Sequence, residues 1–153
     1  MITLKEGDRA PDFNQKNEDG KKIQLADFKG KKLVLYFYPK DSTPGCTLES
    51  CNLRDNYTLL QTKGFEVLGV SADKQESHQK FIRKHNLPFH LLADIGKKVL
   101  NAYGVWGPKK FMGRTYDGIH RTTFIINEQG IIEKVFRKVK TKTHTEQILE
   151  SYQ

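Results

Sequence analysis

The stretch Leu33-Val34-Leu35-Tyr36-Phe37-Tyr38 constrains this chain more than any other, because six consecutive residues are apolar or aromatic. Such a run reads as a strand buried on both faces, of the kind found in the middle of a partly parallel sheet. Pro39 ends it, having no N–H for the ladder. Ser42, Thr43, Pro44 and Gly45 carry turn and cap chemistry, and an amphipathic stretch from Cys46 to about Lys63 reads as one helix with Tyr57 and the leucines at 48, 59 and 60 toward a core. Gly64 is a natural stop. Phe65–Ser71 is the next strand, and a strand–helix–strand unit of this length makes strands 33–38 and 65–71 parallel and right-handedly connected.

The remaining segments hang on that unit. Residues 1–31 read as an N-terminal extension folded as a hairpin, with a turn at Asn17-Glu18-Asp19-Gly20 and a short strand at Ile23-Gln24-Leu25. Ser71–Asp73 can cap a helix running to about His85, with Phe81 and Ile82 inward and Asn86 at its C-terminal end. Phe89–Leu92 is extended, a short helix covers Gly96–Tyr103, and 104–118 reads as a long loop. Arg121–Ile126 and Ile131–Val139 form an antiparallel pair around a turn at 127–130, and Thr143–Tyr152 closes the chain as a helix presenting Ile148, Leu149 and Tyr152. The order β-α-β, α, β-hairpin, α is thioredoxin-like topology: an α/β fold with a mixed central sheet flanked by helices. At 153 residues one domain, 1–153, accounts for the chain without staples.

Composition narrows the function classes. Lysine and arginine outnumber acidic residues 26 to 18, a net charge of +8. Most of the excess lies in isolated pairs such as Lys21-Lys22 and Lys97-Lys98, and the denser 134–142 segment reads as a sheet edge protected by charge. No nucleic-acid partner is expected, although an acidic partner protein would be attracted. No apolar run approaches a membrane span, and Met1–Asp8 lacks the apolar core of a signal peptide, so a cytoplasmic location and no membrane partner are expected. Two nearby cysteines argue for redox chemistry rather than a disulfide framework. Zinc is disfavoured, since no second Cys or His pair stands at ligand spacing. His78 and His85 read as solvated on a surface helix, and His90, His120 and His144 show no ligand pattern.

Cys46 stands at, or just inside, the first turn of the helix after the buried strand. Unpaired N–H groups and the positive end of the helix dipole stabilise an anion there, and a thiol so placed is deprotonated more readily. Cys46 is the candidate nucleophile. Cys51 follows five residues later, so the two thiols point roughly 140° apart on an intact helix and cannot bond without unwinding it. Spacing leaves open whether Cys51 is a second redox thiol or a small core residue.

Pro39-xxx-Thr43-xx-Cys46 matches the P-x-x-x-T-x-x-C signature of the peroxiredoxins, and the fuller Thr-Pro-Gly-Cys-Thr-x-Glu-x-x-Cys resembles the bacterioferritin-comigratory, or Q-type, subfamily. Gly7-Asp8-x-Ala10-Pro11-Asp12-Phe13, Tyr103-Gly104-Val105-Trp106-Gly107 and Arg121-Thr122-Thr123-Phe124-Ile125-Ile126 resemble the same subfamily in the same order. The likeness covers nearly the whole chain.

The resemblance implies a peroxidase cycle. Cys46 attacks a peroxide and becomes a sulfenic acid, Cys51 resolves it as an intramolecular disulfide, and thioredoxin or a similar dithiol restores both thiols. It implies an active site of Pro39, Thr43, Cys46 and a downstream arginine, matched by Arg121, with Arg114 a weaker rival. Glu49 supports that arginine, and backbone N–H groups at Gly45 and Cys46 serve as oriented donors. No cofactor or metal is implied, and an internal partner thiol makes a monomer the expectation. Each residue also has a plainer reading: Thr43 as a helix N-cap, Pro39 as a strand end, Arg121 as surface charge, Glu49 as a dipole partner. Two other classes compete, a thioredoxin-type disulfide oxidoreductase, which normally has Cys-x-x-Cys, and a basic nucleic-acid-binding module. A Cys–His hydrolase lacks an evident supporting Asp or Asn.

Overall fold

The computed structural model describes residues 3–153; Met1 and Ile2, where the expected hairpin extension begins, lie outside the described residues. Strands β1 (Asn14–Lys16) and β2 (Lys22–Gln24) pair antiparallel as a separate two-stranded sheet. The Asn17 side chain closes their turn by accepting bonds from the Asp19 and Lys21 amides, the local side-chain-to-backbone bonding that suits Asn to turns.

The central sheet runs β5–β4–β3–β8–β9, with β3 at Lys32–Phe37, β4 at Phe65–Ser71, β5 at His90–Ala93, β8 at Thr122–Ile126 and β9 at Ile132–Phe136. β3 pairs parallel with β4 and antiparallel with β8, as the crossover and hairpin signals require. Alternate residues of β3 feed opposite faces. Leu33, Leu35 and Phe37 pack with Phe13, Tyr103 and Phe124, whereas Val34, Tyr36 and Tyr38 pack with Cys46, Leu53, Leu60 and Phe81. Complete burial of side chains of this size stabilises by about 1.5–3 kcal/mol each. β9 is a sheet edge, but it ends at Phe136, so most of the basic 134–142 segment lies beyond the strand and not along its edge.

Several expectations are corrected. The single helix is two, α1 (Pro44–Asp55) and α2 (Tyr57–Thr62), because the Asn56 side chain donates to the Asn52 carbonyl and competes with the helical ladder. Leu48 and Leu59, expected inward, are 41% and 44% exposed. The supposed loop at 104–118 is largely a hairpin, β6 (Trp106–Phe111) with β7 (Arg114–Ile119), closed by Met112 and Gly113 at φ of 51° and 78°. Two positive-φ central residues match the twist of the strands they join. Helix α3 (Gln75–His85) starts after Lys74 rather than at 71–73, and its His78 is fully buried, not solvated.

Helix α4 (Lys98–Ala102) and α5 (His144–Glu150) complete the chain. Ile148 is buried as expected, but Tyr152 lies beyond α5 and is exposed. Asn86 ends α3 in the left-handed region at φ 51°, a conformation Asn tolerates.

Candidate active site

The Cys46 site is assembled by strand register. Phe37 pairs with Thr122 across β3 and β8, so the chain entering β8 at Arg121 lies beside the chain leaving β3 toward Pro39. The connection 38–43 crosses the top of the sheet, and α1 begins with Pro44 at its first position, where the missing N–H removes no helical bond. Cys46 is thus the third helical residue, within the turn whose amides lack carbonyl partners.

Arg121 joins the groups that converge there. One guanidinium nitrogen donates to Cys46 Sγ at 3.3 Å and the other to Glu49 Oε1 at 2.6 Å. Its side chain is 23% exposed, that of Glu49 fully buried. Cys46 is itself buried within the core cluster, the setting of an inert thiol. A guanidinium aimed at the sulfur is the opposite of that setting, because it brings a charged donor directly against it. Gly45 leaves room for the arginine: a β-carbon there would stand 3.2 Å from Arg121 Nη2.

The expected residues divide. Cys46, Arg121, Glu49 and Gly45 come together. Thr43 occupies the N-cap position of α1 but makes no side-chain cap bond; its hydroxyl donates to the Lys40 carbonyl at 2.8 Å, closing the loop on itself. Pro39 is half-buried at the head of the same loop. Arg114 is exposed beside the tip of the β6–β7 hairpin, so Arg121 is the arginine of this site. Cys51 is a free, half-buried thiol on α1, and Cys46 is also free; α1 is continuous between them.

Several contributors carried no sequence signal strong enough to be singled out. His144 is buried on α5, with Nε2 3.7 Å from Glu49 Oε2. Its Nδ1 faces Gln147 Oε1 at 2.9 Å and its Nε2 faces the Thr123 hydroxyl at 2.8 Å. The amide oxygen only accepts, so Nδ1 carries the hydrogen and a neutral Nε2 accepts from Thr123. Burial, with the nearby Arg121 charge adding to it, pushes the imidazole down to about 4. Burial likewise pushes the Glu49 carboxyl up to about 7, against the pull of Arg121, and among the described residues Glu49 Oε2 has no hydrogen-bond partner. One guanidinium therefore serves both the Cys46 sulfur and the buried Glu49 carboxyl, and protonation of Glu49 relieves the cost of burying its charge.

Asn52, next to Cys51, ties α1 to the start of α5. Its Oδ1 accepts from the Thr145 amide at 2.8 Å and its Nδ2 donates to the Lys142 carbonyl at 3.0 Å. A second cluster, Asp41, Asp73 and His78, has ligand atoms within 4.8 Å of one another. Asp41 Oδ2 is taken by Ser77 and His78, and Asp73 Oδ2 by the Ser71 hydroxyl and the Asp41 amide. A metal would have to displace these bonds, so the donor set fits an internal network better than an ion site. Among the described residues, no helix is long and apolar enough to cross a membrane.

The AhpC/TSA family model matches residues 6–135. The chain is similar to peroxiredoxin Bcp of Escherichia coli (strain K12), 48% identical over 149 residues covering 97% of this chain and 96% of that protein. Peroxiredoxin Bcp of Bacillus subtilis (strain 168) is 47% identical over 150 residues, covering 98% and 96%. Among solved structures, a cysteine-to-serine variant of Xylella fastidiosa PrxQ superimposes with a TM-score of 0.92 at 29% identity, over 99% of this chain and 97% of that one. The Xanthomonas campestris bacterioferritin comigratory protein, studied for alkyl peroxide reduction, gives 0.85 at 33% identity, over 91% and 88%. With the family model running from before the first hairpin into the edge strand, and Bcp relatives matched almost end to end, the chain belongs to the AhpC/TSA family, on its Bcp peroxiredoxin branch.

Proposed function

We propose that this protein is a thiol peroxidase that reduces hydrogen peroxide and organic hydroperoxides, with Cys46 as nucleophile. The observation that carries the reading is the Arg121 bridge, 3.3 Å from Cys46 Sγ and 2.6 Å from Glu49 Oε1, at the open end of α1. The Cys46 thiolate attacks the terminal oxygen of R–O–O–H. An S–O bond forms, the O–O bond breaks, and the departing alkoxide or hydroxide takes a proton from solvent, leaving Cys46 sulfenic acid and an alcohol or water. Arg121 stabilises the anion before attack and the negative oxygen as it leaves, the preorganised electrostatic role of an oxyanion site. Pro39 shields the sulfur from water, and Thr43 shapes the loop facing it.

Cys51 is the resolving thiol in this scheme. Its sulfur displaces hydroxide from the Cys46 sulfenic acid, and disulfide and water result. An intact α1 holds the two side chains on different sides, so the first turns must open before the bond forms. A dithiol protein of the thioredoxin type then reduces the disulfide by exchange. With resolution internal, one subunit completes the cycle, which supports a monomer; a chain with only two nearby cysteines suits the reducing cytoplasm.

The test is steady-state peroxide consumption coupled to a thioredoxin system, with insulin reduction measured alongside. The account expects peroxide turnover that C46S abolishes, and no comparable disulfide reduction. Turnover surviving in C46S would end it, and insulin reduction without peroxide turnover would favour a thioredoxin-type exchanger.

A further inference from the structure

The connection between β3 and α1 holds an anchor that the cysteine chemistry does not itself use. Asp41 is buried in the middle of the loop that carries Pro39 and Thr43. Its backbone N–H donates to Asp73 Oδ2 at 2.8 Å, Tyr38 donates to its Oδ1 at 2.6 Å, and Ser77 donates to its Oδ2 at 2.8 Å. The next residue, Ser42, sits at φ 63°. A non-glycine residue in that region persists when its surroundings over-determine it, and Asp41 is the group that pins it.

The ring of His78 completes the anchor from α3. Its Nδ1 lies 2.7 Å from Asp41 Oδ2 and its Nε2 2.8 Å from the Leu92 carbonyl on β5. A carbonyl oxygen only accepts, so Nε2 carries a hydrogen. Both Asp41 oxygens already accept hydroxyl hydrogens, from Tyr38 and Ser77, so the hydrogen between Nδ1 and Oδ2 sits on the ring and Nδ1 carries one as well. The groups facing the ring are Asp41 and Tyr38 from the connection between β3 and α1, Asp73 from the connection between β4 and α3, and the Leu92 carbonyl from β5. None of them is a cation. Burial pushes the imidazolium to release its proton, but Asp41, the Leu92 carbonyl and Asp73 outweigh it and raise His78 from its ordinary value.

We propose that His78, as a buried imidazolium paired with Asp41, is a positioning residue that fixes the Pro39–Thr43 loop in the geometry in which Cys46 meets a peroxide. The proposal rests on the peroxidase reading above. Asp41 transmits it, because the same carboxylate joins α3 to the strained loop, and Thr43 stands two residues beyond it. The pair leaves the thiol's own charge environment to Arg121, so its loss disturbs peroxide approach and not the general reactivity of the sulfur.

The experiment compares two rates in wild type and H78Q: stopped-flow oxidation of Cys46 by hydrogen peroxide, and alkylation of the same thiol by iodoacetamide. The peroxide rate should fall by about tenfold or more, given that misplacement by about 1 Å can lower a rate by ~100-fold, while alkylation stays within about twofold. Equal loss in both rates, or no loss, overturns the proposal. A wild type that does not react with peroxide defeats the functional reading instead. Nitrogen-edited NMR of the wild-type ring gives a second readout that holds even if H78Q does not fold. Both His78 nitrogens should be protonated at neutral pH, and a singly protonated ring would overturn the proposal.

Discussion

Replacing Arg121 by glutamine removes one cation from two partners at once, and the structure sets the size of the effect. At 3.3 Å from the sulfur, a full charge pair is worth about 5 kcal/mol at an effective dielectric near 20. Net contributions of hydrogen bonds to charged groups are about 1.5–3 kcal/mol. The smaller range applies, because glutamine still offers a neutral donor and the partly exposed arginine would be replaced in part by water. A loss of that size lowers the second-order rate of Cys46 oxidation by about 10–150-fold. Stability carries an independent signature. Burial holds the Glu49 carboxyl near 7 in the folded protein against an ordinary value of 4.5, with Arg121 pulling it down. Because the folded value is the higher one, the native state binds more protons, and Glu49 makes stability fall by about 3 kcal/mol between those two pH values and no further above them. Without Arg121 the folded value climbs higher, so the decline continues beyond neutrality. His144 acts oppositely, adding stability as pH rises between about 4 and 6.5, but it is neutral above pH 7. The assay is therefore stopped-flow oxidation by hydrogen peroxide, with thermal unfolding of R121Q and wild type from about pH 7 to about pH 9. A rate within about twofold of wild type, together with parallel unfolding curves across that range, would refute the reasoning.

Three further outcomes follow from the same geometry. C51S should consume one equivalent of peroxide, stall at the Cys46 sulfenic acid and pass to sulfinic acid under excess peroxide, as followed by intact mass. G45A places a β-carbon 3.2 Å from Arg121 Nη2, so the peroxide rate should fall several-fold while Tm holds or rises, alanine being the better helix former by about 1 kcal/mol. N52A removes the bonds joining α1 to the Thr145 amide and the Lys142 carbonyl; stability should drop by about 1–2 kcal/mol, and disulfide formation after peroxide addition should become faster, because α1 opens more easily.

The parts legible in the sequence were those encoded locally. An uninterrupted apolar run, a proline and the turn residues at the head of a helix located β3, the loop and Cys46. The β3–β8 register then made Arg121 the neighbour of that loop, as the Arg-Thr-Thr-Phe-Ile-Ile segment had suggested. The misread parts depended on distant partners. His78 looked solvated because Asp41 lies thirty-seven positions earlier; the available clue was its three-residue spacing from the inward Phe81, which puts both on one helix face. His144 meets Glu49 only after the last crossing of the chain. The β6–β7 hairpin was hidden for a different reason. Trp106-Gly107-Pro108-Lys109-Lys110-Phe111 contains two residues unsuited to strands and is buried only at Gly107, so no alternation marks it, and its Met-Gly turn lacks the usual Asn or Asp. The break between α1 and α2 turns on one side-chain bond from Asn56, below the resolution of periodicity.

The most direct test of the central claim is a single turnover. Fully reduced protein is mixed with one equivalent of hydrogen peroxide, free thiols are counted over time, and the product is mapped by mass spectrometry and run on a non-reducing gel. The account predicts rapid loss of both thiols, a Cys46–Cys51 link within one chain and no covalent dimer. Persistence of both thiols would contradict Cys46 as the peroxide-reacting group. Loss of only one would leave the peroxidase but remove Cys51 from its cycle.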